Sequence, residues 1–208
     1  MYRIKNLIYR DILHIGDLRF SEGQSTAVTG TSGAGKTTLL KLLDGLYMPD
    51  GGQIFYGGSN IRTLKNLRRR VSMAAQSPVL YEGDVGSNLR IAFDFAEKDL
   101  PDDSFFQEIL ECVQLNVPLD HETKMLSGGE QSRLCLARAL ALQSETYLID
   151  EPTSALDEYT QLAVMRNILS FTRKLKSTVL LVTHSPESAE LCDRHLKLHK
   201  GGGFTWIR

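Results

Sequence analysis

The sequence predicts an α/β fold around a mostly parallel sheet, and three observations carry that reading. From residue 146 onward, short apolar runs of strand length alternate with stretches of helical spacing. Earlier, the strand-like Ser25-Thr26-Ala27-Val28-Thr29 runs straight into a glycine-rich stretch, Gly30-Thr31-Ser32-Gly33-Ala34-Gly35-Lys36-Thr37, after which helical spacing begins. A further apolar strand, Tyr147-Leu148-Ile149, ends in two acids, Asp150 and Glu151.

The elements follow in order. Residues 2–9 and 13–20 show the near-alternation of half-exposed strands. Glu22-Gly23 turns the chain into the strand at 25–29, and residues 38–43 have helical spacing that Gly45 and Pro49 terminate. Asp50-Gly51-Gly52 is a turn into a strand at 53–56, which Gly57-Gly58 ends. Residues 71–75 form a short apolar strand that delivers Gln76. Between 77 and 125 the character changes to helical patterns, at 88–95 and 103–115, set among acidic, Pro-containing loops, as a helical insertion would read. Ser127, with Glu130 three residues on, matches a capping box for a helix running through Leu140. The alternation then runs 146–149, 158–174, 178–183, 186–192 and 195–199, and residues 204–207 read as a closing hairpin strand.

Composition bounds the function. A chain of 208 residues with 42% hydrophobic and 24% charged residues can bury one full core. Its net charge of -1 argues against a protein built to hold nucleic acid. Cys112, Cys135 and Cys192 are far apart, which argues against a metal site or disulfide framework and fits a reducing cytosol. No apolar run approaches the roughly 18–20 residues that span a bilayer, and residues 1–10 lack the apolar core of a signal peptide. The expectation is a cytoplasmic protein whose membrane role, if it has one, comes through a partner. The densest basic run, Arg68-Arg69-Arg70, reads either as a solvated helix end or as a contact for an acidic partner loop.

The glycine-rich stretch has the form G-x-x-x-x-G-K-[ST], placed between a strand and a helix. There, glycines let backbone N–H groups close on phosphate oxygens, and the helix adds the positive end of its dipole. Lys36 is expected to reach the β- and γ-phosphates of a nucleotide and Thr37 to ligate Mg²⁺, with Gly30, Thr31, Ser32, Gly33, Ala34, Gly35 and Thr38 completing the cradle. Asp150, at the C-terminal edge of a buried strand, is expected to hold Mg²⁺, and Glu151 to polarise the attacking water as a general base.

With Leu126-Ser127-Gly128-Gly129-Glu130-Gln131 between them, these runs resemble the motifs of the ATP-binding-cassette (ABC) ATPases, and almost the whole chain is similar to the nucleotide-binding subunits of ABC transporters. The resemblance implies a P-loop NTPase core with a mostly parallel sheet, an N-terminal antiparallel β subdomain and a helical insertion. It implies one domain over 1–208, with a RecA-like core and β subdomain at about 1–76 and 144–208 and a helical subdomain at about 77–143. It also implies roles. Gln76 matches the glutamine that touches Mg²⁺ and the lytic water beside the membrane partner's coupling helix, and His184 the switch histidine at the γ-phosphate. Residues 154–157 match a loop that crosses a dimer interface. Ser127, Gly128 and Gly129 of one subunit would cap the γ-phosphate held by Lys36 of the other. Tyr9 is the nearest candidate for an aromatic ring on adenine, packing being its alternative role.

The function so implied is an ATPase, using ATP and Mg²⁺, that works as a head-to-tail homodimer. It powers a separate integral membrane permease from the cytoplasmic face of the inner membrane. Residues 77–85 resemble exporter-type sequences, which points to the small metal- or iron-export subunits. The alternatives are an ABC-type ATPase driving an envelope-remodelling or signalling complex, and a nucleic-acid or ribosome-associated ATPase. The second of these would be expected to carry a coiled coil, a second cassette or zinc motifs.

Overall fold

One helix lies between two sheets. The computed structural model describes residues 1–151 and 157–208. In chain order the elements are β1 (Tyr2–Tyr9), β2 (Leu13–Phe20), β3 (Ser25–Thr29), α1 (Lys36–Leu43), β4 (Gly51–Tyr56), β5 (Ser59–Asn60), α2 (Leu67–Arg70) and β6 (Val71–Ala74). There follow α3 (Val85–Ala96), α4 (Asp103–Cys112), a 3₁₀ turn at Thr123–Met125, α5 (Gly128–Ala141), β7 (Thr146–Asp150), α6 (Glu158–Lys174), β8 (Thr178–Val182), α7 (Pro186–Glu190), β9 (Arg194–Leu198) and β10 (Phe204–Trp206).

The first sheet is antiparallel, in the order β2-β1-β4-β5, and the second runs β10-β9-β3-β8-β7-β6, parallel apart from β10 at its edge. Every residue of β7 and β8 is buried, as expected of central parallel strands covered on both faces. Leu39, Leu40, Leu42 and Leu43 of α1 are all fully buried, packing with Tyr2, Ile4 and Tyr56 of the first sheet and Leu148 and Leu180 of the second. Each such leucine contributes about 1.5–3 kcal/mol by leaving water. A second core on the other face of the parallel sheet joins Ile149 and Leu181 to Leu89, Leu134 and Ile168 of α3, α5 and α6.

A β-bulge sets which side chains of β1 point inward. The β1–β4 register shifts between Lys5 and Ile8, where Asn6 has φ 47° opposite Gly52 at φ 75°. Any Cβ on Gly52 would stand 2.1 Å from the Asn6 carbonyl oxygen, so glycine is required there. The bulge changes the phase of the alternation: Tyr2 and Ile4 are buried before it, Leu7 and Tyr9 after it.

Local chemistry explains the helix ends. Asp84 caps α3 by accepting from the Ser87 amide at 2.6 Å, and the fully buried Asn88 bonds Tyr81 N, Tyr81 O and Asp84 O, pinning residues 81–84 to that helix. Helix α4 stops at Cys112, short of the sequence expectation of 115. Gln114 takes φ 54°, and the Leu115 amide returns to the Leu110 carbonyl at 2.9 Å. The arginine run closes α2 and pairs within the chain. Arg70 donates twice to Glu145, both at 2.8 Å, and Arg69 pairs with Glu97, leaving Arg68 exposed. The three cysteines are free. Among the described residues no helix is long and apolar enough to cross a membrane.

Candidate nucleotide site

Parallel strands deliver their C-terminal ends to one edge, so chain direction assembles the site. There β3 releases Gly30, β6 is followed by Gln76, β7 ends in Asp150 with Glu151 next, and β8 is followed by Thr183 and His184. Gln76, Glu151 and His184 line one cavity of about 440 Å³ with Lys36, Thr37 and the rest of the loop at 32–38.

The loop itself is held from below. Gly30 has φ 149°, and a Cβ there would lie 2.3 Å from the Leu198 carbonyl oxygen in β9. Lys36 is buried at 7% exposure and folds back over the loop, its Nζ donating to the carbonyl oxygens of Gly30 at 3.0 Å and Thr31 at 3.5 Å. Nζ also lies 3.3 Å from His184 Nε2.

Asp150 is 1% exposed, and among the described residues neither of its carboxylate oxygens meets a hydrogen-bond partner. Burial raises its pKa above the usual carboxylate value, an effect the neighbouring Thr37 hydroxyl opposes. A buried carboxylate with free lone pairs beside a threonine hydroxyl fits a hard divalent cation such as Mg²⁺, which takes oxygen ligands. Glu151 has φ 47°, its amide anchored to the Val182 carbonyl at 3.0 Å. Its Oε1 stands 2.8 Å from His184 Nε2, and its Oε2 accepts from Gln76 Nε2 at 3.1 Å. His184 Nε2 therefore faces both an ammonium and a carboxylate. It can accept from Lys36 or donate to Glu151, never both at once.

The motif at 126–131 stands elsewhere. Ser127 and Gly129 line a separate cavity of about 750 Å³ with Gln114, Asn116, Arg133 and Asp157. Ser127 and Glu130 form the expected capping box: the Ser127 amide donates to Glu130 Oε2 at 2.8 Å, and Ser127 Oγ accepts from the Glu130 amide at 3.4 Å. A Cβ on Gly128 would meet nothing within 4 Å among the described residues, so their packing does not require that glycine. Of the residues 154–157, the first three lie outside those described. Asp157 caps α6, accepting from the Thr160 amide at 3.0 Å.

Tyr9 is not brought to this cavity. The bulge at Asn6 turns it inward to 6% exposure, where its ring stacks on Tyr47 at 5.5 Å with the Arg10 guanidinium 5.1 Å from its centroid. The residue that does line the cavity is Ile12, which sequence reasoning missed. Its one signal was an apolar side chain directly after the charged pair Arg10-Asp11 in the hairpin turn. A second feature not anticipated is an apolar groove of about 550 Å³ among β6, α3 and α5, where Val79 is 65% and Phe95 69% exposed.

Comparison with known proteins agrees with this geometry. Residues 13–154 match the family model described as ABC transporter. The chain is 33% identical to the tungstate uptake system ATP-binding protein TupC of Peptoclostridium acidaminophilum, over 91% of this chain and 88% of that one. It is 35% identical to the methionine import ATP-binding protein MetN 2 of Pseudomonas syringae pv. tomato, covering 88% of this chain but spanning only 57% of that longer relative. Among solved structures, a dimeric ATP-binding cassette in a post-hydrolysis state, bound to ADP and Pi, superposes with a TM-score of 0.87 at 26% identity, covering 100% of this chain and 99% of that one. With its phosphate loop, paired acids and two-sheet architecture in place, the chain belongs to the ABC transporter family, as an ATP-binding and ATP-hydrolysing cassette.

Proposed function

We propose that this cassette powers a separate integral membrane permease and does so as a head-to-tail homodimer. The observation that carries the reading is the separation of two half-sites in one chain. Lys36 lines one cavity, while Ser127 and Gly129 line another. Ser127 and the free N–H groups at the start of α5 make an anion site with no phosphate loop of its own chain to serve. Gly128 adds to this, because open space above it leaves room for a second copy's nucleotide to approach the backbone.

In this reading the loop at 30–38 cradles the triphosphate, and Lys36 leaves its backbone contacts for the β- and γ-phosphates. Asp150 and Thr37, with Gln76, are the residues that would hold Mg²⁺, which when bound supplies charge neutralisation at the phosphates. Glu151 orients and polarises the attacking water, Gln76 helps to hold that water, and His184 contacts the γ-phosphate. A bound nucleotide would exchange the contacts that Glu151 makes to Gln76 and His184 for contacts to water and phosphate. Tyr9, sequestered against Tyr47, has no part in it.

The permease docks in the groove beside Gln76, between the core and the helices within 77–143, which we assign as the moving helical unit. Exposed Val79, Tyr81 and Phe95 give that groove its apolar wall, and Arg138 gives it charge: its Nη2 donates to the Val79 carbonyl at 2.7 Å, and its Nη1 is buried with no partner among the described residues. Such docking places the protein on the cytoplasmic face of the inner membrane. The site residues are those of ATP turnover, so they set neither cargo nor direction. The two curated relatives named above serve uptake, which gives the metal-export subtype no support.

The test is to purify tagged Glu151→Gln protein from detergent-solubilised membranes with ATP present. Co-purification of an integral membrane protein is the expected result. Recovery with ribosomes or DNA, and no membrane protein, would overturn the assignment.

A further inference from the structure

We propose that the groove among β6, α3 and α5 seats a lysine or arginine side chain of the permease, whose cationic head meets the carboxylate of Asp44. The inference rests on the reading that the permease docks in this groove, and it adds the chemistry of the residue that enters.

Asp44 lies at the floor of the groove. It is 6% exposed, whereas Leu46, Val79 and Phe95 around the same cavity are 49%, 65% and 69% exposed. The turn that closes α1 makes this division. Gly45 takes φ 73° and the Leu46 amide returns to the Lys41 carbonyl at 2.9 Å, so the chain leaves the helix with Asp44 covered and Leu46 outside.

Three other polar side chains of the groove are already engaged. Ser72 Oγ stands 2.6 Å from Ser144 Oγ, and the Cys135 thiol and Arg138 both donate to the Val79 carbonyl. Among the described residues no hydrogen bond reaches the Asp44 carboxylate, and Arg68 is the one cation acting on it. Arg68 also lines the cavity but is exposed, so water screens its charge.

Two features select a cation for this seat. A carboxylate so covered is costly alone and is stabilised by a counter-charge that also hydrogen-bonds it. It also stands at the C-terminal end of α1, where the helix dipole is negative. The walls select a long stem. Val71, Met73, Ala92 and Leu142 give apolar surface along which a lysine or arginine lays its methylenes while its charge reaches onward. The permease cation and the nucleotide phosphates then meet opposite ends of one helix, since α1 begins with Lys36.

The experiment has two arms. NMR titrations measure the binding of hexylammonium, hexylguanidinium and hexanol to the wild-type chain, Asp44→Asn and Arg68→Gln at pH 7.5. Both cations are expected to bind the wild-type groove about tenfold to a hundredfold more tightly than hexanol. Asp44→Asn should erase that difference, and Arg68→Gln should raise cation affinity by about twofold to threefold. In the second arm, Asp44→Asn is combined with Glu151→Gln in the purification from solubilised membranes with ATP. Recovery of the membrane partner should fall by about tenfold relative to Glu151→Gln alone. Hexanol binding as tightly as the cations, or recovery undiminished by Asp44→Asn, would overturn the proposal. Cation selectivity in the groove, with no membrane partner recovered even by Glu151→Gln alone, would instead overturn the permease reading beneath it.

Discussion

Glu151 and His184 are joined directly, Oε1 to Nε2 at 2.8 Å, and the same ring nitrogen stands 3.3 Å from Lys36 Nζ. The acid proposed to activate water, the histidine proposed to contact phosphate and the lysine of the loop thus form one connected cluster. In the proposed reading a triphosphate on Lys36 would compete for each of these contacts, which couples its arrival and departure to the orientation of Glu151.

Glu151→Gln preserves shape and removes the base. Phosphate release is expected to fall by about 10²–10⁴-fold while ATP still binds, as judged by release assays beside equilibrium binding. Undiminished turnover would remove Glu151 from its assigned role.

His184→Ala separates catalysis from folding. The side chain is 56% exposed, so thermal stability should stay within about 0.5 kcal/mol, while kcat falls at least tenfold. A substitution that lowered Tm and left kcat intact would show the histidine to be structural.

Two glycines should behave oppositely. Gly30→Ala forces a Cβ to 2.3 Å from the Leu198 carbonyl in a positive-φ backbone, and should cost about 1–3 kcal/mol in denaturant unfolding. Gly128→Ala meets nothing within 4 Å among the described residues and should leave unfolding unchanged, yet weaken ATP-dependent dimerisation measured by light scattering. Intact dimerisation in Gly128→Ala would argue against the half-site arrangement.

Asp44 should give stability a pH dependence. Burial pushes its carboxyl up from the usual carboxylate range to about 6, opposed by the Arg68 guanidinium, with the buried Tyr2 phenol nearby. A raised carboxyl binds its proton more tightly in the folded state. This group's contribution is therefore most favourable below about pH 4, is lost as pH rises to about 6, and is a constant penalty above that. Asp44→Asn should stabilise the protein by on the order of 2 kcal/mol at pH 7.5 and by little at pH 4. An equal effect of the substitution at both pH values would rule this account out.

The sequence by itself determined the chemistry and the order of elements. The phosphate loop is local: glycine spacing, the following lysine and the flanking strand and helix specify it within about a dozen residues. The same holds for the Ser127–Glu130 capping box and for α6, whose span of 158–174 was legible from its helical spacing. The apolar runs of β7 and β8 announced buried parallel strands for the same reason. Tertiary structure alone decided which distant side chains meet. That Gln76, Glu151 and His184 share hydrogen bonds follows from strand order in the parallel sheet, which no local pattern encodes. The fate of Tyr9 turned on one bulged residue: in a strand of period two, a single extra residue sends each following side chain to the other face, burying Tyr9 and leaving Ile12 at the cavity.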